Sequence, residues 1–358
     1  MAYTNIDDPS AYFQALVYAG TGGDGSVTQP TTHTNTGNSD LQPDFIWFKD
    51  RTTYSNYWVD SSRGRAKGLK SDTTAAETTS GQAGWDLVSF DSDGFKVGAP
   101  SEGNSTNGGT SSKVAWQWKC NGGTTATNTT GSLDSVVQVN TTAGFSIVTW
   151  TGAGGVRTVG HGLGVAPDVI IVKNRSTSTQ WGVWINSLAD TDNNFRINES
   201  GGEVDDALWN DTIPASTVFS ISSAAEVSND SIAYCFAEKQ GYSKFGGYTG
   251  NGNVDGRMIA TGFRPAFVMT KKDGTSGWFI QDIERGIRNS NSGTVLEANT
   301  ANGEADIGAT NYDIDFLSNG FKHRQANTYT NASGSKYIYM AFAEHPFVTS
   351  TGIPTTAR

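Results

Sequence analysis

One passage is written three times in this chain, and that recurrence constrains the fold more than any other feature. Each copy opens on an aromatic-x-Gly strand end: Tyr18-Ala19-Gly20, Trp150-Thr151-Gly152 and Tyr248-Thr249-Gly250. Each continues with a proline, an apolar run and a lysine: Pro43-Asp44-Phe45-Ile46-Trp47-Phe48-Lys49, Pro167-Asp168-Val169-Ile170-Ile171-Val172-Lys173 and Pro265-Ala266-Phe267-Val268-Met269-Thr270-Lys271. Each closes on a strand such as Ile232-Ala233-Tyr234-Cys235-Phe236-Ala237-Glu238, matched by Ile338-Tyr339-Met340-Ala341-Phe342-Ala343-Glu344 and, more loosely, Val114-Ala115-Trp116-Gln117-Trp118-Lys119. The aromatic-to-proline spacing is 17 residues in copies two and three (150 to 167, 248 to 265) and 25 in copy one (18 to 43). Repetition on this scale points to an assembled scaffold more than to a one-site catalyst.

The closing strands have period two, the mark of a strand with one face in a core. Ile232, Tyr234 and Phe236 form a large face, repeated by Ile338, Met340 and Phe342. The opposite face is small (Ala233, Cys235, Ala237), which would let another sheet or a neighbouring module approach closely. In copy one that second face carries Gln117 and Lys119 and is expected to be wet. The Pro-led runs read as strands covered on both sides. Asp93-Gly94 and Asn319-Gly320, each set between apolar residues, predict hairpins through residues that tolerate positive φ. Helical periodicity is limited to short turns at residues 74–77 and 201–208. The fold class that follows is all-β: three tandem antiparallel β-sandwich, jelly-roll-like, repeats. The expected boundaries are an N-terminal arm at 1–11, repeat one at 12–120, a flexible or extended linker at 121–143, repeat two at 144–239, repeat three at 240–347 and a C-terminal tail at 348–358. Set end to end, such sandwiches would form an elongated rod, with both terminal arms free to latch neighbouring subunits.

Composition supports this class. With 43 glycines, 36% hydrophobic residues and only 17% charged ones, the chain suits turn-rich β modules and not a disordered polymer. A net charge of −10 disfavours nucleic acid as a partner. The densest basic stretch, Arg63-Gly64-Arg65-Ala66-Lys67-Gly68-Leu69-Lys70, reads as a solvated loop. The two cysteines, Cys120 and Cys235, occupy non-equivalent places in their copies, so neither a disulfide framework nor a zinc pattern is expected. The N-terminus lacks signal-peptide features and no apolar run approaches membrane-spanning length. The expectation is a soluble protein, made in a cytoplasm without Sec-type export.

No candidate chemistry outweighs a bland structural role. His33, His161, His323 and His345 fall in separate segments without ligand spacing. Gly20-Thr21-Gly22-Gly23-Asp24-Gly25 lacks the ending of a phosphate loop and is a turn. The acid pairs Asp91/Asp93, Asp190/Asp192 and Asp313/Asp315 have the oxygen ligands calcium needs, but none continues into a binding loop. Asp60 to Arg63-Gly64, echoed by Asp282 to Arg285-Gly286, reads as an ion pair or turn brace absent from copy two. The ten tryptophans read mainly as core, with the sharper alternative of outward sugar-stacking platforms or subunit anchors. No catalytic, cofactor-binding or metal residue is nominated, no cofactor is expected, and the chain is read as a non-enzyme.

Four stretches carry a resemblance. Tyr3-Thr4-Asn5-Ile6-Asp7-Asp8-Pro9-Ser10-Ala11-Tyr12-Phe13, Gly262-Phe263-Arg264-Pro265, Asp315-Phe316-Leu317-Ser318-Asn319-Gly320-Phe321-Lys322 and Tyr337-Ile338-Tyr339-Met340-Ala341-Phe342-Ala343-Glu344-His345-Pro346-Phe347 resemble a family of virion proteins from tailed phages of marine and cyanobacterial hosts. The likeness runs over nearly the whole chain, to the Thr355-Thr356-Ala357-Arg358 ending. It implies a virion component and leaves the place on the particle open; the first expectation is a tail-fibre, spike or other appendage subunit contributing to host adsorption. A capsid decoration or cement protein is the alternative place, and a carbohydrate-binding or carbohydrate-degrading tail protein the alternative class. The expected partners are other copies of the chain in a trimer, other virion proteins and host surface glycan, with no nucleic acid and no membrane insertion. The implied location is the virion, assembled in the bacterial host cytoplasm. No catalytic residues come with the resemblance.

Overall fold

The computed structural model describes residues 4–21, 30–80, 86–99, 106–188, 190–224, 227–286, 294–306 and 312–355. Helix is confined to short 3-10 turns, such as Pro9–Ala11, capped by Asp8. The predicted helical turns are absent: residues 74–77 are irregular, and 201–208 contain a short strand.

The first repeat supplies β1 (Phe13–Ala19), β2 (Thr31–His33), β3 (Phe45–Asp50), β4 (Tyr57–Asp60), β5 (Lys67–Leu69), β6 (Thr78–Thr79), β7 (Leu87–Asp91), β8 (Gly94–Val97) and β9 (Ser112–Trp118). The second supplies β10 (Ala126–Asn128), β11 (Ser135–Asn140), β12 (Phe145–Thr151), β13 (Arg157–Gly160), β14 (Val169–Asn174), β15 (Trp181–Ile185), β16 (Asn193–Asn194), β17 (Val204–Asp205), β18 (Val218–Ile221) and β19 (Asp230–Phe236). The third supplies β20 (Ser243–Thr249), β21 (Met258–Ala260), β22 (Phe263–Lys272), β23 (Trp278–Asp282), β24 (Thr294–Glu297), β25 (Ala305–Asp306), β26 (Ile314–Leu317), β27 (Gly320–His323) and β28 (Lys336–Pro346).

Each repeat has one six-stranded antiparallel sheet, in the orders β1-β9-β3-β4-β5-β6, β10-β11-β12-β19-β14-β15 and β20-β28-β22-β23-β24-β25. A smaller sheet accompanies each: β2-β8-β7, β13-β18 and β21-β27-β26. The chain is therefore all-β, with three sandwich units. In every unit the closing strand (β9, β19, β28) lies between the opening strand and the Pro-led strand. That central place explains why it is buried on both faces.

The two faces of the large sheets do different jobs. The small face of β19 (Ala233, Cys235) packs with Val148, Ile170 and Val172 against Val159, Phe219 and Ile221 of the small sheet. In the first repeat Ile46, Phe48 and Ala115 pack likewise against Leu87, Phe95 and Val97. The small face thus takes the unit's own second sheet. The large face turns toward the other two repeats, and all three large faces merge into one core. At its centre the equivalent residues Trp118, Phe236 and Phe342 form a triangle, with ring centroids 6.4, 5.8 and 5.5 Å apart. A pseudo-threefold axis runs through that triangle.

This arrangement corrects the rod. Faces carrying Trp, Tyr and Phe are the costliest to leave wet, and three of them can cover one another only by closing into a ring. The ring is shut between the first and third repeats, where Phe13 stacks on Phe342 at 5.3 Å. The stretch 121–143 is also more than a linker. It forms β10 and β11, and β11 pairs antiparallel with the edge of β12. The second face of β9 is not wet: Gln117 is fully buried and donates to Asn35 Oδ1 at 2.6 Å, while Lys119 is half-buried. Neither described arm is free. Thr4 Oγ1 donates to the Gln240 carbonyl, Ile6 is buried, and Ser350 bonds to the Asp7 carboxylate.

Both predicted hairpins form, pairing Asp91 with Gly94 and Leu317 with Gly320. Gly94 has φ +103°, but Gly320 is not left-handed. Both glycines share a different need. A Cβ at Gly94 would sit 2.1 Å from the His33 carbonyl oxygen, and one at Gly320 would sit 2.1 Å from that of Ile259. The neighbouring strand requires glycine there.

Candidate functional site

The polar chemistry of this protein is concentrated in the seams between repeats, and it repeats with the pseudo-threefold. The lysine next to the end of each Pro-led strand is fully buried. Lys49 Nζ donates to the carbonyls of Thr53, Tyr54 and, in the third repeat, Ala301. Lys173 Nζ donates to Thr177, Thr179 and, in the first repeat, Thr74. Lys271 Nζ donates to Lys272, Gly274 and, in the second repeat, Ser200. Each ammonium therefore ties its own loop to the preceding repeat in the ring. Burial pulls Lys49 and Lys271 down to about 8, because the charged form loses hydration that carbonyl dipoles replace only in part.

Opposite each lysine on the next strand stands a second donor. Trp181 pairs with Lys173 and its indole donates to the Lys70 and Thr73 carbonyls of the first repeat. Trp278 pairs with Lys271 and its indole donates to the Arg196 carbonyl of the second. In the first repeat Asn56, one position before the Phe48–Tyr57 pair, reaches the carbonyls of Glu297, Ala298 and Thr300.

The expected Asp/Arg brace exists. Arg63 Nε meets Asp60 at 2.6 Å, and Arg285 Nε meets Asp282 at 2.6 Å, all four side chains buried. Each brace continues into a neighbour. Tyr234 Oη of the second repeat donates to Asp60, and Trp116 Nε1 of the first donates to Asp282. Arg63 also pairs with Glu77, which Arg175 grips from the second repeat; Arg285 pairs with Glu304, which Arg51 grips from the first. Burial raises the Glu77 carboxyl, but Arg175 and Arg63 together bring it below its ordinary value. In the second repeat the strand register puts Ile185 and Leu188 at these places, and the partner in the third repeat is Met340. Ile185 and Met340 are buried in the shared core, and half-buried Leu188 packs against it. Two seams have a polar lock and the third an apolar one. Arg63 is thus no solvated residue: the first member of the basic stretch lies fully inside.

The remaining candidates stay apart. His33, His161 and His323 are each lowered by burial, His323 to about 4. His161 lies by the Ala215 carbonyl and His323 by Tyr248 Oη. Asp91 accepts from Ser89, Asp93 from the Leu41 amide, Asp192 from the Asp211 amide, and Asp313 from Gln325; Asp315 faces Arg324 at 3.4 Å. These are local braces. Among the described residues no cluster of three or more His, Cys, Asp or Glu could hold a metal. Much of the Gly20–Gly25 turn, and Trp85, lie outside the described residues. Every other tryptophan is buried, so none is an outward platform. Cys120 and Cys235 are free and buried, and burial pushes both thiols up, away from reactivity.

The three seam lysines are functional residues that sequence patterning alone assigns no role. The available signal was a lysine closing a fully apolar strand in all three copies. Two open grooves also lie at the seams: one of about 240 Å³ between β1 and the third repeat, the other of about 280 Å³ between β20 and the second.

The chain belongs to the family described as "Domain of unknown function (DUF7483)", which matches residues 8–346 in one run across all three repeats. No curated protein and no solved structure matches it.

Proposed function

We propose that the chain is a passive structural part of a tailed-phage virion, a tail-fibre, spike or appendage subunit that contributes to host adsorption. The observation that carries this reading is the sealed axis. Where the three large sheets meet, the residual void is about 10 Å³, no more than one water needs. The buried seam lysines and two of the three Asp/Arg positions fasten repeat to repeat, as a load-resisting body requires. The resemblance of four sequence stretches to phage virion proteins supplies the setting. A jelly-roll-like wiring of each repeat belongs to the proposal, supported by crossings between sheets at β1–β2, β2–β3, β6–β7 and β8–β9. Threefold character is already present within one chain, so a trimer of chains is not needed to supply it. Any glycan contact would fall to polar loops, since the described tryptophans are enclosed.

The test is imaging of intact particles carrying a label at the C-terminus of this chain. Label on a tail appendage is the expected result. Label on the head shell would replace the tail assignment with a decoration role, and its absence from the particle would end the virion reading.

A further inference from the structure

The pseudo-threefold makes one asymmetry conspicuous. β1, β12 and β20 are equivalent strands, each flanked on its inner side by the closing strand. On the outer side, β12 is covered by β11, whereas β1 and β20 end their sheets. β11 fills a seam as well as an edge. Its residue Gln138 sits opposite Ile147 and donates across to Ser61 and Ser62 Oγ of the first repeat. The positions equivalent to Ser61 and Ser62 are Asn186 and Ser187 in the second repeat and Ile283 and Glu284 in the third. The equivalence rests on matched backbone bonds, Ser61 to Asp44, Asn186 to Asp168 and Ile283 to Ala266. Ser187 borders the groove beside β20, while Ile283 and Glu284 border the groove beside β1. The two grooves are thus the same site that β11 occupies in the remaining seam.

The strand edges in those grooves are unpaired. Gly20 N bonds to Ser111 and Lys119 N to the Tyr12 carbonyl, so even-numbered residues of β1 face β9. The backbone groups of Phe13, Ala15, Val17 and Ala19 point outward, and no hydrogen bond to them exists among the described residues. By the same parity Phe245, Gly247 and Thr249 of β20 point outward without partners among the described residues. An unpaired edge inside a groove is a template for strand addition.

We infer that the two grooves are docking sites for an extended segment of another protein, added antiparallel to β1 and to β20 as β11 is added to β12. β11 states the guest's chemistry: Ser135-Val136-Val137-Gln138-Val139-Asn140, β-branched and alternating, with an amide donor at the centre. In the β1 groove that central donor would face the Glu284 side of the third repeat. The chain has no described segment of its own to offer. β11 is held within its sheet, the residues before β1 are fastened to the third repeat, and the connection before β20 is only residues 237–242. The inference stands on this symmetry and does not require the virion reading.

The test uses the full chain and a synthetic peptide of residues 132–140, with residue-resolved amide exchange as the readout. The amides of Ala15, Val17, Gly247 and Thr249 should exchange quickly in the free protein. Saturating peptide should slow them about tenfold or more, and a peptide with Gln138→Pro should not. Ala15→Pro, which removes an outward donor from an edge strand where proline is tolerated, should abolish protection in the β1 groove alone. Fast exchange unchanged by the peptide, or slow exchange already present without it, overturns the proposal. Protection that grows with protein concentration alone, together with dimers in sedimentation, assigns the edge to a second copy and overturns the choice of occupant.

Discussion

The Lys49 ammonium donates to the Ala301 carbonyl oxygen at 3.2 Å, joining residues 252 positions apart in the chain. The bond closes the ring between its first and last repeats, and the same contact recurs from Lys173 to Thr74 and from Lys271 to Ser200. Lys49→Met keeps the stem's length and removes the donor, leaving buried carbonyls without a partner. Each such group costs about 1–3 kcal/mol, partly offset by no longer burying a charge. A net loss of about 2 kcal/mol in urea unfolding is expected. Lys67→Met, which removes a more exposed Glu77 contact, should cost at most about 1 kcal/mol.

The same lysines set an alkaline signature. Lys49 and Lys271 titrate near 8 when folded, against an ordinary 10.5. Between those values the unfolded chain binds protons that the native one does not, so stability rises with pH across that window. Tyr18, Tyr234, Tyr242 and Tyr248 oppose it from about pH 10 upward, because burial holds them protonated in the native state while the unfolded chain ionises. The unfolding midpoint should climb above pH 8 and turn over above about 10. Lys49→Met/Lys271→Met should flatten the climb.

Acid acts through the histidines. His323 is held neutral to about pH 4 by burial, while an unfolded histidine protonates near 6.5. Stability should fall as pH drops from 6.5 to 4, by on the order of 2–3 kcal/mol from this residue. His323→Gln should remove most of that slope, whatever its effect at neutral pH.

The braces separate a broken buried pair from a replaced one. Arg63→Met strands Asp60 and Glu77 in the interior and should cost about 3–5 kcal/mol. Converting Asp60→Ile, Arg63→Leu and Tyr234→Met together copies the apolar lock of the other seam and should cost far less, within about 1–2 kcal/mol of the parent. A triple variant no more stable than the single would show that the seams are not interchangeable.

Cooperativity follows from the shared core. Residues 144–239 expressed alone would expose the Tyr234 and Phe236 face to water and should fail to fold. The full chain should unfold in one transition, with tryptophan fluorescence and far-ultraviolet circular dichroism coinciding. Separate transitions for separate repeats would contradict a common core.

The period-two pattern of β19 and β28, the Pro-led strands and the two hairpins were readable because each is local: backbone alternation and turn chemistry need no knowledge of neighbours. The destination of a face is not local. Tyr234 and Phe236 announce burial equally well against a second sheet or a second repeat, and only the ring decides. Gln117 and Arg63 misled for a related reason. A polar side chain in sequence gives no sign that Asn35, or Asp60 and Glu77, waits across the fold. The linker reading failed because a Thr- and Gly-rich approach masks the Val137/Val139 alternation of β11. The seam lysines were visible as a threefold coincidence, but the carbonyls that hold them come from irregular segments with no sequence signature.

Ile185, Leu188 and Met340 occupy the places held elsewhere by aspartate, arginine and an indole or phenol donor. An assembly of identical subunits must accept any such change at every equivalent place at once, so one untried interface cannot be explored without committing all of them. Here a single gene holds the copies, and each can drift by itself while the others keep the ring shut. The fused architecture is a licence for asymmetry: one interface can be rebuilt, or one edge left open, without the cost being multiplied around the axis.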